Sequence, residues 1–295
     1  MRGHRVVRKA GWDTHGLPVE IEVEHTLGLD GKDQIEEYGV AAFNAECRKS
    51  VFKYLDEWHD FTRRLGYWLD LDDPYVTCTN EYIESVWWIL KQFWDQDMLY
   101  EGHKIVPYCP RCGTSLSSHE VSQGYRDVSD PSIFFKLKRV GDEAYFLVWT
   151  TTPWTLISNV ALAVGPDYDY VRVRHRGDEL ILAEELLHVL DGEYEALGKM
   201  KGRELVGARY EPCFPWFADA EGAFRVIGAD FVTLTDGTGI VHTAPAFGED
   251  DYRVGREEGL PFVQPVDAEG RFTDEIEPWA GMFIKDADPL IMKDL

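Results

Sequence analysis

The sequence predicts an α/β plus β-rich fold, in which a mixed helical part is followed by a β-barrel-like domain. Two observations favour this class. From about Asp33 to Leu65, and again from about Thr79 to Trp94, apolar residues recur three to four positions apart, as on one face of a helix. From Ile133 onward, short β-branched and aromatic runs are separated by turn residues, which is typical of strands. We place the boundary near residue 130, which gives domains at residues 1–130 and 131–290.

The composition is that of a globular and strongly acidic chain. Hydrophobic residues make up 44% of the 295 positions, and the net charge is −23. Because affinity for nucleic acid comes largely from Lys and Arg, this excess of acidic residues argues against the chain binding a phosphate backbone by itself. The acidity indicates either a surface adapted for solubility, including in high salt, or basic nucleic-acid-binding parts outside these residues.

Signals for secretion and membrane insertion are missing from the sequence. No apolar run approaches the roughly 20 residues that span a bilayer, and the start lacks the apolar segment of a signal peptide. The five cysteines include one close pair, which favours a reducing compartment over a disulfide framework. We therefore expect a cytoplasmic protein with no membrane partner.

The first element is a short strand through Val6 and Val7, followed by a glycine-bordered loop that contains Asp13 and His15. Glycines let a ligand approach the backbone closely, and a carboxylate in such a loop can hold an amino group. An ordinary strand-to-helix loop has the same pattern. The residues alone leave both interpretations open.

The helical segments that follow have apolar stripes. We expect helix through Ile21–Leu29, then over Asp33–Leu65 with a stop at Gly66, and again from Thr79 or Asn80, which are good caps. The stripe of the last helix contains Ile83, Val86, Trp87, Leu90, Phe93 and Trp94. An aromatic stripe at helical spacing is more often core than cofactor contact, so we expect these side chains to be buried.

Cys109 and Cys112 have the spacing of a zinc-knuckle turn, which aims two thiolates at one metal. Structural zinc needs four ligands, however, and no second Cys-x-x-Cys occurs in the sequence. His103 and His119 are unmatched as further ligands. A thioredoxin-type redox pair is less favoured, because no βαβ context surrounds the motif. The sequence therefore predicts an incomplete zinc site.

The β-rich part is expected to contain one short helix at Glu184–Leu190 among a series of short strands. The strands are predicted at Ile133–Leu137, Ala144–Thr152, Val160–Val164, Tyr170–Arg174, Leu180–Ala183, Phe224–Ile227 and Gly239–His242.

Two of these strands end in polar motifs. In Trp-Thr-Thr-Thr-Pro-Trp-Thr-Leu, alternation directs Thr150 and Thr152 to one face and Thr151 to the other, and Pro153 ends the strand. The second motif, Gly-Thr-Gly-Ile-Val-His-Thr-Ala-Pro-Ala-Phe-Gly-Glu-Asp-Asp, leads a strand into His242 and then into a run of acids. Each motif alone also fits a turn of a sandwich or barrel, but together they indicate a pocket at strand ends.

Four motifs in this order resemble those of the isoleucyl-tRNA synthetases, which are class I aminoacyl-tRNA synthetases: GWDTHGLPVE, YCPRCGTSLSSHEVSQGY, WTTTPWTLISN and GTGIVHTAPAFGEDD. The resemblance covers nearly the whole chain. Leucyl and valyl synthetases typically have Thr-Thr-Arg-Pro where this chain has Thr-Thr-Thr-Pro. The resemblance implies part of a Rossmann catalytic half with a helical connection, followed by an inserted editing domain.

The family's HIGH and KMSKS motifs, its second Cys-x-x-Cys and its anticodon-binding region do not occur in these residues. We therefore expect a fragment that does not form the adenylate alone. For the parent enzyme the resemblance implies ATP and Mg as cofactors, with Zn held by Cys109 and Cys112 only if further ligands are supplied. It implies isoleucine, valine, the acceptor end of tRNA(Ile) and the remainder of the synthetase as partners.

For the editing reaction, which hydrolyses an aminoacyl ester on tRNA, the resemblance implies roles for named residues. Asp251 holds the substrate's α-ammonium, although Glu249 and Asp250 are alternatives, and His242 lines the side-chain pocket. The residues that contact the ester, the water and the terminal nucleotide are Thr150, Thr151, Thr152, Trp154 and Asn159. Asp13 and His15 resemble residues near the synthetic site.

Two questions remain open at this point. The first is activity: the chain is either an active editing hydrolase or a non-catalytic tRNA-binding or structural remnant. The second is the family assignment, for which the alternative is the equivalent region of a valyl- or leucyl-type synthetase. A serine-hydrolase mechanism is less favoured, because no Gly-x-Ser-x-Gly elbow is present.

Overall fold

The computed structural model describes residues 3–295; Met1 and Arg2, which begin the predicted first domain, lie outside this range. The chain divides into two compact units, one ending at His103 and the other beginning at Lys104. Among the described helices, none combines the length and apolarity that a membrane crossing requires.

The first unit pairs two parallel strands and carries helices between and after them. Its elements are β1 (Lys9–Trp12), α1 (Leu17–Leu27), α2 (Lys32–Tyr38), α3 (Val40–Ser50), α4 (Leu55–Arg64), β2 (Asp70–Val76) and α5 (Asn80–Trp94). The parallel pairing of β1 with β2 is what a helical crossover connection produces. Gly39, at φ 103°, separates α2 from α3, because a left-handed backbone cannot continue a helix.

Two predictions for this unit are wrong. The first strand begins at Lys9 rather than at the exposed Val6 and Val7, because its register with β2 is made by Lys9, Gly11 and Trp12. The stripe of α5 is also exposed, including Trp87 at 68%. Helical periodicity identifies the face that gains from burial, but the covering layer must come from elsewhere.

The second unit begins with a small hairpin and one helix, and then becomes mainly β. Its elements are β3 (Tyr108–Cys109), β4 (Thr114–Ser115), α6 (Ser118–Gln123), β5 (Ile133–Lys138), β6 (Ala144–Thr150), β7 (Ala161–Val164), β8 (Asp169–His175), β9 (Asp178–Ala183), β10 (Glu195–Lys201), α7 (Gly202–Leu205), β11 (Arg225–Gly228), β12 (Ile240–Thr243), α8 (Glu249–Glu258) and α9 (Ile284–Asp294), with 3-10 helices at Pro153–Ser158 and Glu184–Val189.

Two open sheets form the centre of this unit. The five-stranded sheet has the order β10-β8-β9-β6-β5, and the three-stranded sheet has the order β11-β7-β12. The fold is therefore mixed α/β. In the described residues neither sheet closes on itself, so the predicted barrel-like detail is not confirmed. Turn spacing locates strands, whereas closure depends on which edges pair and with what stagger.

The two sheets share one apolar core, because their strands alternate. In β6, Ala144, Phe146 and Val148 enter the shared core, while Leu147 packs on the opposite face of its sheet. In β7 the same alternation sends Leu162 into the shared core. β6 also contacts β12. This packing brings the polar ends of the two strands to the same region.

Candidate active site

A cavity of about 430 Å³ lies in the second unit, where the ends of β6 and β12 meet the first turn of α8. The predicted residues Thr150, Thr151, Thr152, His242 and Asp251 all line it. The two motifs are well separated in sequence, so only the packing of β6 with β12 brings them together.

A chain of hydroxyls follows the end of β6. The Thr150 and Thr152 hydroxyl oxygens are 3.3 Å apart, and the Thr152 N–H donates to Thr150 Oγ1 at 3.1 Å. Thr152 Oγ1 lies 3.1 Å from Thr155 Oγ1 on the 3-10 helix that starts at Pro153. Thr151 is exposed. The alternation predicted for the three threonines therefore places two hydroxyls in one hydrogen-bonded chain.

His242 ends this chain of hydroxyls. Its Nε2 is 3.1 Å from Thr155 Oγ1, and its Nδ1 is buried without a hydrogen-bond partner in the described residues. Burial lowers the pKa of His242 to about 4. The imidazole is therefore neutral near pH 7. It can fill space in the cavity wall and form a hydrogen bond, but it carries no positive charge.

Asp251 provides one carboxyl group of the cavity. Its Oδ1 accepts a hydrogen bond from the Ala244 N–H at 2.9 Å, which fixes the carboxylate relative to the strand end. Burial raises the pKa of Asp251. A Cβ on Gly248 would overlap Asp251 Oδ2, so glycine is needed there for space.

The neighbouring acids take other positions. Asp250 is exposed and lies 3.3 Å from Arg253, and Glu249 is exposed as well. Asp251 lines the cavity. Of the three candidates that the sequence left open, Asp251 has the geometry for a ligand contact.

Sequence reasoning missed part of the cavity wall. Lining side chains that were not named as candidates include Trp149, Thr155, Thr233, Asp236 and Phe247. Thr155 lies within the threonine motif and could have been found there. Thr233 and Asp236 precede the second motif in a loop without regular pattern, so the sequence carried no signal for them.

Trp154 and Asn159 do not line the cavity. The Trp154 ring packs edge-on against Phe247 at 4.7 Å between centroids. The buried Asn159 side chain donates to the Ala161 carbonyl at 3.0 Å and accepts from the Tyr210 hydroxyl at 2.7 Å. In this structure both side chains contact other parts of the protein rather than the cavity.

Asp13 and His15 line a groove of about 560 Å³ in the first unit. The Thr77 hydroxyl is 2.9 Å from His15 Nδ1, and the His15 N–H donates to Asp13 Oδ1 at 3.4 Å. Tyr75 and Trp87 also line this groove.

The Cys109 and Cys112 thiols lie in the hairpin of β3 and β4. The Cys112 N–H donates to Cys109 Sγ at 3.4 Å, and burial raises the pKa of Cys112, which disfavours the thiolate that a metal needs. The described residues contain no group of three or more Cys, His, Asp or Glu side chains arranged to hold a metal. These residues by themselves do not fit a structural zinc ion.

The cavity suits hydrolysis of a polarised bond by an oriented water better than nucleophilic attack by a side chain. Thr155 and His242 have the spacing of a nucleophile and a base. However, the low pKa of His242 makes it a weak base, and in the described residues its Nδ1 has no carboxylate to orient it. Hydroxyls and a carboxylate that bind substrate and water need no strong nucleophile.

The chain belongs to the class I tRNA synthetases (I, L, M and V), whose family model matches residues 1–255. Within that class it is similar to isoleucine–tRNA ligases. The Clostridium acetobutylicum enzyme is 59% identical over 294 residues, covering 99% of this chain and 28% of that protein. Isoleucine–tRNA ligase 2 of Bacillus thuringiensis subsp. konkukian is 52% identical over 297 residues, covering 100% of this chain and 29% of that protein.

These matches confirm the resemblance that the four motifs indicated. The chain spans less than a third of the length of these relatives. Among solved structures, the P. knowlesi cytosolic leucyl-tRNA synthetase editing domain matches with a TM-score of 0.44 and 15% identity, over 55% of this chain and 92% of that one.

Proposed function

We propose that the second unit contains the editing site of an isoleucine–tRNA ligase, and that its cavity hydrolyses valyl ester on tRNA(Ile). The observation that carries the proposal is that two motifs far apart in sequence line one cavity, with a neutral imidazole and a half-buried carboxylate among the lining groups. We assign the editing domain to residues 131–290 and the partial catalytic domain to residues 1–130.

Asp251 binds the substrate's α-ammonium, the positive group that every aminoacyl ester shares. Its Oδ1 is held by the Ala244 N–H, so the second oxygen is directed without further ordering. A hydrogen bond between charged groups stabilises a complex by about 1.5–3 kcal/mol. Approach of the ammonium also counteracts the effect of burial, which raises the pKa of the free carboxyl group.

His242 limits the size of the amino-acid side chain. Valine lacks one methylene of isoleucine, which a hydrophobic pocket distinguishes by only about 1–3 kcal/mol; isoleucine–tRNA ligase is itself the general example of this limit. A second pocket that admits the smaller ester supplies the missing selectivity. The imidazole suits this role because burial and its contact with Thr155 at 3.1 Å hold it in one place.

The threonine hydroxyls bind the ester, the terminal adenosine and the water. Thr150 and Thr152 hydrogen-bond to each other, and each hydroxyl can donate to one group while it accepts from another. This property lets them orient a water and stabilise the developing oxyanion without a covalent intermediate. Trp154 and Asn159, which do not line the cavity, act on the terminal nucleotide only indirectly.

The whole enzyme's activity extends beyond these residues. We infer that the parent protein is a cytoplasmic ligase that joins isoleucine to tRNA(Ile) with ATP and Mg, and that Asp13 and His15 belong to its synthetic site. The exposed apolar stripe of α5 supports a further layer of protein on the first unit, because a face with Trp87 at 68% exposure gains from being covered. The remainder of the synthetase supplies that layer, together with any ligands that complete a zinc site at Cys109 and Cys112.

Deacylation assays test the editing proposal. The chain is incubated with preformed valyl-tRNA(Ile) and isoleucyl-tRNA(Ile), at low and high salt because the net charge of −23 opposes tRNA binding. We expect selective loss of the valyl ester. D251N should lower its rate constant by about 10- to 100-fold, while D250N, in which the changed acid is exposed, is the matched control.

The alternative is a non-catalytic binding or structural remnant. Under that alternative neither ester is hydrolysed and D251N changes nothing. Equal hydrolysis of valyl and isoleucyl esters would instead contradict the role of His242 in size selection. Selective hydrolysis of a mischarged tRNA(Val) or tRNA(Leu) would favour a valyl- or leucyl-type assignment.

A further inference from the structure

The 3-10 helix at Pro153–Ser158 does not use the cap that its own sequence offers. Thr152 is the N-cap residue, and a threonine there ordinarily accepts a hydrogen bond from a backbone N–H of the first turn. Thr152 forms no such side-chain cap bond. Its Oγ1 lies instead 3.3 Å from the Thr150 hydroxyl and 3.1 Å from the Thr155 hydroxyl.

The first-turn amide is bonded by a residue far along the chain. The Trp154 N–H donates to Asp288 Oδ1 at 2.8 Å, across 134 positions. Asp288 lies on α9 and is 1% exposed. Ala287 and Ile291 of the same helix share an apolar cluster with Ile157 of the 3-10 helix. The position of the carboxylate is therefore set by packing between the two helices.

The burial of Asp288 is poorly compensated. Its second oxygen, Oδ2, is buried without a hydrogen-bond partner in the described residues. A buried carboxyl group with one unsatisfied oxygen weakens a fold relative to an apolar side chain of similar volume. Stability alone therefore does not explain an aspartate at this position.

We propose that Asp288 is a positioning residue of the cavity: it caps the 3-10 helix in place of Thr152, and so leaves the Thr152 hydroxyl to the hydroxyl chain that lines the cavity. Without the carboxylate, the acceptor already at the cap position is Thr152 Oγ1. Turning that hydroxyl toward the Trp154 N–H breaks its contacts with Thr150 and Thr155. This inference rests on the proposed editing function, since it explains how the same cavity is kept ready for an ester.

Substitution of Asp288 tests the proposal in steady-state deacylation of valyl-tRNA(Ile). Asp288→Leu removes the acceptor but places a larger, apolar side chain at this buried position, so its melting temperature is measured first to show that the variant is folded. We expect kcat to fall at least tenfold with KM little changed. Asp288→Asn keeps an acceptor oxygen and should recover most of kcat. Asp286→Leu, an exposed position on the same helix, is the matched control. A wild-type kcat for Asp288→Leu overturns the proposal.

A double-mutant cycle separates positioning from general support of the fold. In a Thr152→Val background residue 152 has no hydroxyl that could turn toward the Trp154 N–H. Asp288→Leu should therefore lower kcat by less than a further twofold. If Asp288→Leu lowers kcat by the same factor in the wild-type and Thr152→Val backgrounds, the proposal is overturned, because Asp288 would then act independently of Thr152.

The wild-type chain shows which idea has failed. If it hydrolyses neither ester, the editing function fails, and Asp288 is judged from the Trp154 amide itself. Hydrogen exchange at that amide, measured by NMR, should accelerate at least tenfold when Asp288→Leu is combined with Thr152→Val, which leaves no replacement acceptor, but not in Asp288→Leu alone or in Asp286→Leu with Thr152→Val. Equal exchange in Asp288→Leu with and without Thr152→Val overturns the proposal without reference to tRNA, because Thr152 would then not have replaced the carboxylate.

Discussion

Neutralisation of His242 by burial predicts a specific pH dependence of stability. Its pKa falls from 6.5 to about 4 in the folded chain. Between these values the unfolded state binds the proton and the folded state does not, so the free energy of unfolding rises with pH across this window. The shift corresponds to about 3 kcal/mol, gained between pH 4 and pH 6.5 and complete above it.

The assay compares urea unfolding of the wild type with His242→Gln from pH 4 to pH 8. The difference between the two curves isolates the histidine from the carboxylates, which titrate in the same range in both proteins. His188→Gln removes an exposed imidazole and is the matched control. A direct check is the imidazole ¹⁵N shift of His242 followed by NMR.

Titration of the His242 imidazole near 6.5 would refute its neutralisation by burial, and so would a His242→Gln variant that follows the wild-type pH dependence throughout. Either result would mean that water or a flexible backbone reaches the ring. A confirmed low pKa also predicts that valyl-ester deacylation between pH 6 and 8 shows no limb from this histidine, because the neutral form is already complete above pH 6.

Further predictions concern the cavity and the cysteine hairpin. Gly248→Ala places a methyl group where the Asp251 carboxylate lies, so deacylation should fall about tenfold or more while the melting temperature changes little; wild-type rates would contradict the assigned geometry. Thr155→Val leaves Nε2 of buried His242 without its partner and should lower the free energy of unfolding by about 1–3 kcal/mol, measured by urea denaturation. His242→Ala should increase hydrolysis of isoleucyl-tRNA(Ile) relative to valyl-tRNA(Ile), and unchanged discrimination would rule out the size role. A chelator should leave the melting temperature of this chain unchanged, whereas stoichiometric zinc at Cys109 would contradict the incomplete site.

Strands were predictable where side chains alternate against a core. Ala144 through Thr150 alternates between the shared core and the opposite face of its sheet, so a local pattern was enough to locate β6. The end of this strand before Pro153 followed from the loss of one backbone donor, whereas the 3-10 helix after it was not predicted. By contrast, β10 has several exposed polar residues on an edge strand, and its sequence carries no clear alternation.

Burial of helices was less predictable. The α5 stripe has the period of a buried face, yet Trp87 and Trp94 are 68% and 69% exposed. The period is a property of one helix, whereas burial depends on a second surface that the helix sequence does not describe.

The sequence by itself determined the family, because four long motifs occur in one order, and it identified the threonines, His242 and Asp251 as a candidate set. Only the tertiary structure decided that these residues line one cavity, that Asp251 rather than Asp250 faces it, and that Asp288 reaches Trp154 across 134 positions. The physical reason is the distance along the chain over which each effect acts. Strand alternation and proline effects act within a few residues, whereas burial, pKa and long-range hydrogen bonds depend on which distant segments pack together.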